Sequence, residues 1–423
     1  MSFMQGVSGL NASSKNLEVI GNNIANANTF GAKASRAEFA DVYSAALNGG
    51  GSKSIGIGTT LAAVAQQFTQ GNVTTSDSPM DVAINGGGFF QVSDGINPPV
   101  YTRNGQFKVD KDGYVVNNQK QRLIGYPTDS QGVIQQGTAR PMLLPTAGIT
   151  PAATSRIRLE MNLDARSAAT LPSSGLQVDF NDAATYNNAT ALTAYDAKGQ
   201  DVALTYYFQK AGTDNWNVYV AANGKSVLDN GATPAVPRPV ATIQFPSNGG
   251  APTAPVGDVL FDIPASTNAV GAVTVPITGV ALSLSGATQY GSSFGVTSLS
   301  QDGFAPGQLT SVNIESDGML MARYSNGQSK PAGQIELATF RNPQGLVALG
   351  GNAWAQSFGS GAPVVGTPGN GNLGVLQSGA LEESNVDLTS ELVNMITAQR
   401  AYQANAQTIK TQDQVLQTLV NLR

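Results

Sequence analysis

Few strings in this chain could do chemistry. Gly291-Ser292-Ser293-Phe294-Gly295 fits the G-x-S-x-G pattern of a nucleophile elbow, whose serine attacks an acyl carbon once a histidine takes its proton. The chain contains no histidine, so the string reads as a glycine-rich turn. Asp110-Lys111-Asp112-Gly113 has the look of a calcium loop, but its glycine comes too early and Gln121 stands where the bidentate glutamate should be. It reads as a hairpin turn. Gly49-Gly50-Gly51-Ser52-Lys53-Ser54 lacks the second glycine of a phosphate-binding loop and no apolar strand precedes it, which leaves a flexible linker.

Composition points the same way. Across 423 residues there is no cysteine and no histidine. Disulfides, thiolate nucleophiles, cysteine-ligated metals and imidazole sites are therefore excluded, and no side chain has an unperturbed pKa near 7. No enzyme activity, cofactor, metal or small-molecule substrate is expected. The net charge of −5 lacks the positive stripe that nucleic-acid binding requires. Only 12% of residues are charged, against roughly 25% in ordinary soluble domains. Either Ser, Thr, Asn and Gln maintain solubility, or much of the surface is covered by something else. A long uncharged run between Asp262 and Asp302 is broken by Pro264, Pro276 and several glycines, so it reads as short strands and not as a membrane span. The N-terminus has no basic segment followed by an apolar core and cleavage site, so no cleaved signal peptide is expected.

Two elements stand apart from the rest. Phe3, Val7, Leu10, Ser14, Leu17, Gly21 and Ile24 fall at alternating spacings of four and three, the apolar stripe of a helix that packs along another. Leu388, Leu392, Met395, Gln399, Tyr402, Ala406, Ile409, Asp413, Leu416 and Val420 repeat the pattern at the far end, with Asn385 or Asp387 as cap. Each helix has only the other as a helical partner in the chain. Two helices alone make a marginal core, so association with copies of the same chain is expected to supply the missing burial.

Between the ends the period becomes two. Short strands are predicted at Phe89–Val92, Val100–Thr102, Phe107–Val109 and Tyr114–Val116, with turns at Asn104-Gly105 and Asp112-Gly113. The device recurs at Val312–Ile314 and Met319–Met321 around Ser316-Asp317-Gly318, with another turn at Asn326-Gly327. The predicted fold is mainly β with α-helical termini: a discontinuous multidomain subunit with a terminal coiled-coil helix pair and two β-rich domains, one inserted into the other. The expected boundaries are 1–30 and 381–423 for the helical domain, 31–75 for a linker or extended arm, 76–145 and 286–380 for the inner β-domain, and 146–285 for the inserted one.

The ends carry a resemblance. Asn22-Asn23-Ile24-Ala25-Asn26-Ala27-Asn28-Thr29 closes the first helix, and Ser384-Asn385-Val386-Asp387-Leu388, Glu391–Ile396 and Ala398–Tyr402 open the last. With Ala83-Ile84-Asn85-Gly86, Gly88-Phe89-Phe90, Thr102–Phe107, Gly379-Ala380-Leu381-Glu382 and Asn405–Gln414, the chain resembles the bacterial flagellar axial family of rod and hook proteins over roughly 1–145 and 286–423. It is most similar to the hook branch. One departure is the order Phe30-Gly31-Ala32-Lys33, in which the aromatic precedes the glycine.

The resemblance implies a radially layered subunit, with the helices innermost and the inserted domain outermost. Many copies would form a short curved helical tube, a flexible universal joint passing torque from rod to filament outside the cell. A distal rod protein is the alternative. Implied partners are copies of itself, the rod protein at the proximal end, the hook–filament junction protein and hook cap at the distal end, and the flagellar type III export apparatus. Asn22, Asn23, Ala25, Asn26, Asn28 and Thr29 are the family-motif residues, and the two apolar stripes are the positions expected to serve subunit assembly.

Overall fold

The computed structural model describes residues 3–42, 56, 58–129, 132–170, 178–231 and 235–421, with the side chains of 419–421 left aside. The expected linker string Gly49–Ser54 lies outside the described residues. The chain is mainly β with one helix at each end, α1 (Phe3–Ala25) and α2 (Leu388–Asn421). It divides into two units. One comprises Met1–Thr146, Thr310–Arg323 and Ser329–Arg423, and the other Ala147–Leu309 with Tyr324–Gln328.

The first unit interleaves the two halves of the chain. Its large sheet runs in the order 309–314, 319–324, 329–335, 122–127, 89–93, 100–102, 353–355, 347–350. Arg122–Pro127 from the N-terminal half pairs antiparallel with Ser329–Ile335 from the C-terminal half, and Val100–Thr102 pairs with Ala353–Ala355. Two further pairs join the halves, Val82–Asn85 with Val375–Ser378 and Val73–Thr75 with Ala380–Glu382. Chain leaving through one half of this unit must return through the other half before the sheet can close.

Aromatic rings fill the space beneath. Phe89, Tyr101, Phe340 and Trp354 form one buried cluster, with edge-to-face contacts such as Tyr101 on Phe340 at 4.7 Å.

The expected arm is structured at its base. Ser35–Val42 and Gly58–Gln66 form an antiparallel hairpin with a register shift at Glu38/Phe39. The hairpin lies against α1: Gln5 Nε2 donates to the Gly56 carbonyl at 2.7 Å, and the Thr59 amide to Ser8 Oγ at 3.3 Å.

Among the described residues the second unit has two sheets. One runs 259–263, 277–283, 156–162, 295–301; the other runs 188–195, 201–212, 215–222, 225–226, with 241–244 also paired to 215–222. The strand Asp201–Gly212 alternates buried and exposed residues along its first half, the signature of a sheet with one face in a core. Ile157, Leu159, Leu204, Phe208, Trp216 and Val280, drawn from both sheets, belong to one continuous cluster. Trp216 satisfies its indole N–H by donating to Gln289 Oε1 at 3.0 Å.

Two local expectations are corrected. The boundary at residue 286 moves to 309, because Gly295–Gln301 pairs with Arg156–Asn162 and so belongs to the inserted unit. Asn104-Gly105 is not a hairpin turn. Lys108–Val109 pairs with Val115–Val116 around Asp112-Gly113, while Val100–Thr102 pairs with Phe89–Ser93. Gly105 is instead needed for close approach: its carbonyl accepts from the Val82 amide at 3.0 Å, and a Cβ there would collide with the Val82 backbone. At Asp110 the carboxylate accepts the Asp112 and Tyr114 amides at 2.9 and 2.8 Å, which makes it a turn and not a calcium loop.

Leu204 is fully buried in the second unit's core. Leu204→Ala is expected to lower stability by about 2–5 kcal/mol, measured by denaturant unfolding followed through tryptophan fluorescence.

Candidate assembly interface

The two terminal helices pack antiparallel. Gly6 lies against Ile409, where a Cβ would stand 3.0 Å from Cγ1, and Gly9 lies against Asn405 at 2.9 Å. Asn405 Nδ2 reaches Ser13 Oγ at 3.5 Å, and near the other end Asn23 Nδ2 reaches Glu391 Oε1 at 3.4 Å. Glycines at the contact allow the two backbones to approach closely, which a larger residue would prevent.

The seam therefore runs beside the apolar stripes, with Ile409 the stripe residue that enters it. The buried positions of α1 are Gly6, Ile20 and Asn23, each one residue ahead of Val7, Gly21 and Ile24. On α2 the buried Ala398 and half-buried Asn405 and Gln412 stand one residue ahead of Gln399, Ala406 and Asp413. One residue is about 100° of rotation. Of the predicted stripes, Met395, Ala406 and Ile409 are half-buried, as are Val7, Leu10, Ser14, Leu17, Gly21 and Ile24. Phe3, Leu388, Leu392, Tyr402 and Leu416 are exposed, together with Met4, Val393, Ile396 and Val415. The side chain of Val420 lies outside the described residues.

The asparagine motif closes α1 and turns the chain. Asn26 Nδ2 donates to the Asn22 carbonyl at 2.9 Å, and Thr29 Oγ1 to the Asn26 carbonyl at 2.7 Å. Asn23 is buried and bidentate on the backbone of Ser35, donating to its carbonyl and accepting its amide, each at 2.8 Å. That pair fixes the hairpin's entry against the helix. Asn22, Ala25 and Asn28 are exposed. At the other end Asp387, not Asn385, caps α2: its Oδ1 accepts the Thr389 and Ser390 amides at 2.9 and 3.2 Å. Hydrogen bonds from the backbone and side chain of Ser390 and the backbone of Thr389 hold its carboxyl below the usual range. Asn385 ties strands instead, accepting the Ala34 amide at 2.7 Å and donating to the Gln67 carbonyl at 2.8 Å.

A buried ion cluster joins both helix ends to the β-sheet. Glu382 takes Lys33 Nζ at 2.6 Å on one oxygen and Arg103 Nη1 at 3.0 Å on the other. The Gly71 amide also donates to it at 2.9 Å. Lys33 Nζ donates further to the Thr69 carbonyl at 2.7 Å, and Arg103 Nη2 to the Gly86 carbonyl at 2.8 Å. The side chains of Lys33 and Glu382 are completely buried. Burial pushes both the Lys33 and Arg103 pKa values down, against the raising pull of Glu382. Gly31 completes the approach: at φ 71° it donates to the Glu382 carbonyl at 2.8 Å, and a Cβ there would stand 2.5 Å from the Asn104 amide.

Sequence reasoning did not single out Lys33, Arg103 and Glu382 as site residues. The available signal was their occurrence inside three motif strings of a chain with few charges.

The cluster holds two cations and one carboxylate. Glu382→Leu strands both cations and is expected to cost about 3–5 kcal/mol, whereas Lys33→Met leaves a matched Arg103–Glu382 pair and costs less; denaturant unfolding followed by circular dichroism gives the order. For the seam, Gly6→Leu is expected to separate the helices at that end. The readout is loss of hydrogen-exchange protection in residues 3–13 and 402–412 while the β-sheet keeps its own.

Known proteins match this arrangement along its whole length. Residues 5–33 match the family described as flagella basal body rod protein, 83–159 the flagellar hook protein FlgE/F/G D1 domain, 162–304 the flagellar basal body protein FlaE D2 domain, and 377–422 the flagellar basal body rod FlgEFG protein C-terminal. The flagellar hook protein FlgE of Escherichia coli is 40% identical over all of both chains, and that of Salmonella typhimurium is likewise 40% identical over all of both. FlgE of Rhizobium meliloti is 33% identical, covering 99% of this chain and 98% of the relative. Among solved structures, Helicobacter pylori flagellar hook protein FlgE2 aligns with 73% of this chain and all of its own, at a TM-score of 0.52 and 14% identity, a likeness of fold. With a shared fold and full-length identity of this order, the chain belongs to the flagellar hook protein family.

Proposed function

We propose that the chain is the structural subunit of the bacterial flagellar hook, polymerising with copies of itself into a short curved tube that passes torque from rod to filament. The observation that carries this reading is the inverted use of the helix faces. The seam within one chain is built largely from Gly6, Gly9, Ser13, Ala398 and Asn405, with Ile409 against Gly6 and Ile20 buried, while Leu388, Leu392, Val393 and Ile396 remain 40–59% exposed. A helix pair that hides its small residues and leaves a run of large apolar ones on α2 exposed is suited to further partners. Covering what remains exposed on those four side chains would contribute on the order of 3–6 kcal/mol per subunit, before ordering costs.

Identical helices repeated around a tube would bear twist through continuous packing. The sparsely charged body, with few strong ion pairs to fix one register, lets neighbours shift as the tube bends. The subunit reaches this place through the flagellar type III apparatus without a cleaved signal, and it meets the rod protein below and the junction and cap proteins above. Its relatives are structural proteins, and it performs no catalysis in this role. The distal rod reading is not favoured, since the full-length relatives are hook proteins although both chain ends also match rod-protein families.

Deleting residues 386–423 is expected to leave a soluble monomer with its β-sheets intact by circular dichroism and no tubes by negative-stain electron microscopy after salt-induced assembly. Normal tubes from the truncated chain would refute the role given to α2.

A further inference from the structure

The strand Val347–Gly350 ends the large sheet of the first unit. It pairs on one side with Ala353–Ala355, through Val347 opposite Ala355, and has no partner strand on the other among the described residues. All four of its residues are exposed, with Val347 at 52% and Leu349 at 58%. Just beyond the paired strand, Phe358 projects fully into solvent. Proteins ordinarily guard such an edge with lysine, proline or an inward charge. Here no charged residue occurs anywhere between Arg341 and Glu382.

We infer that this edge and Phe358 form a docking surface for a second copy of the same chain. The inference rests on the polymer reading above and adds to it a contact on the β-sheet, separate from the helices. Three observations select a second copy. Each copy carries a net charge of −5, and an uncharged stretch is where two such copies can meet without like-charge repulsion. A head-to-tail polymer needs complementary patches at different places on the subunit, and covers each of them in every copy except those at the ends. Finally, the surface is continuous with the proposed assembly helix: Ala348 and Gly350 line one cleft together with Asn22 of α1 and Asn26 just past its end. The cleft also takes in Asn352, Ala353 and Trp354 of the adjoining turn and paired strand, so it lies next to the open edge and places that edge close to the end of α1. Four residues offer few backbone bonds, so most of the affinity comes from covering Val347, Leu349 and Phe358.

The absence of cysteine provides a clean probe, because L349C would carry the single thiol of the chain. Its reaction with a soluble maleimide is expected to be at least tenfold slower in assembled tubes than in monomer. In a second variant, V347K/L349K, the monomer is expected to melt like wild type while the concentration needed for tubes rises at least tenfold. Tubes in which the L349C thiol reacts at the monomer rate, or V347K/L349K assembling at the wild-type concentration, would overturn the docking surface and leave the polymer reading standing. Wild-type protein that forms no tubes would overturn both.

Discussion

Glu382 is the point on which the first unit turns. Its carboxylate is buried between Lys33, four residues past the asparagine motif that closes α1, and Arg103, which reaches it from the β-sheet; Glu382 itself lies five residues before the Asp387 cap of α2. Gly71 and Thr69, on the return from the hairpin, complete the set. Burying three charges is costly, and apolar groups of the same volume would hold the space as well or better. They would not dictate which carbonyl meets which amine. The directional bonds here determine where the two ends of a 423-residue chain meet and how both helices leave the sheet.

With the exits set, the rotation of each helix follows from size. Gly6 and Gly9 present no side chain, so the backbones come together on that face, and Asn405 and Ile409 fill the gap. Larger residues one position later cannot occupy so narrow a seam and are displaced to its flanks. The same choice that makes the pair close-packed takes in Ile20 and Ile409 but leaves Leu388, Leu392, Val393 and Ile396 of α2 uncovered. The helices are thus held to the body by polar and ionic bonds, while their hydrophobic surface stays available to neighbours. A torque-bearing subunit needs that separation of duties: its internal joint must survive in water before assembly, and its external faces must gain from losing water during assembly.

Much of this was legible in the residues. The helical ends, the period-two middle, the Asp112-Gly113 hairpin and the inserted β-region follow from local periodicity and turn chemistry, which single strings carry. What local strings do not carry is choice of partner. Seven-residue spacing marked a stripe on each helix, but nothing in spacing says whether a stripe of leucines or the glycines beside it will meet the helix of the same chain. Asn104-Gly105 had the composition of a turn, and long-range pairing overrode it, since Val82 approaches Gly105 from another part of the sheet. The boundary near 286 failed for a like reason: Gly295–Gln301 is recruited by a strand more than a hundred residues earlier. The ion cluster was divided among three motif strings whose convergence only the fold supplies.

Scarcity of charge, which first looked like a problem of solubility, has two consequences in the structure. Where charges are rare, the few that are buried can specify a junction without competition from alternatives, and the Lys33–Glu382–Arg103 cluster uses three of them. Where charges are missing altogether, as from Asn342 to Leu381, a sheet edge loses the usual barrier against pairing with another chain. For a monomer that would be a liability. For a subunit whose neighbours are all identical and equally negative, an uncharged edge is the surface along which approach is least opposed, and its apolar side chains give the approach a reason to persist.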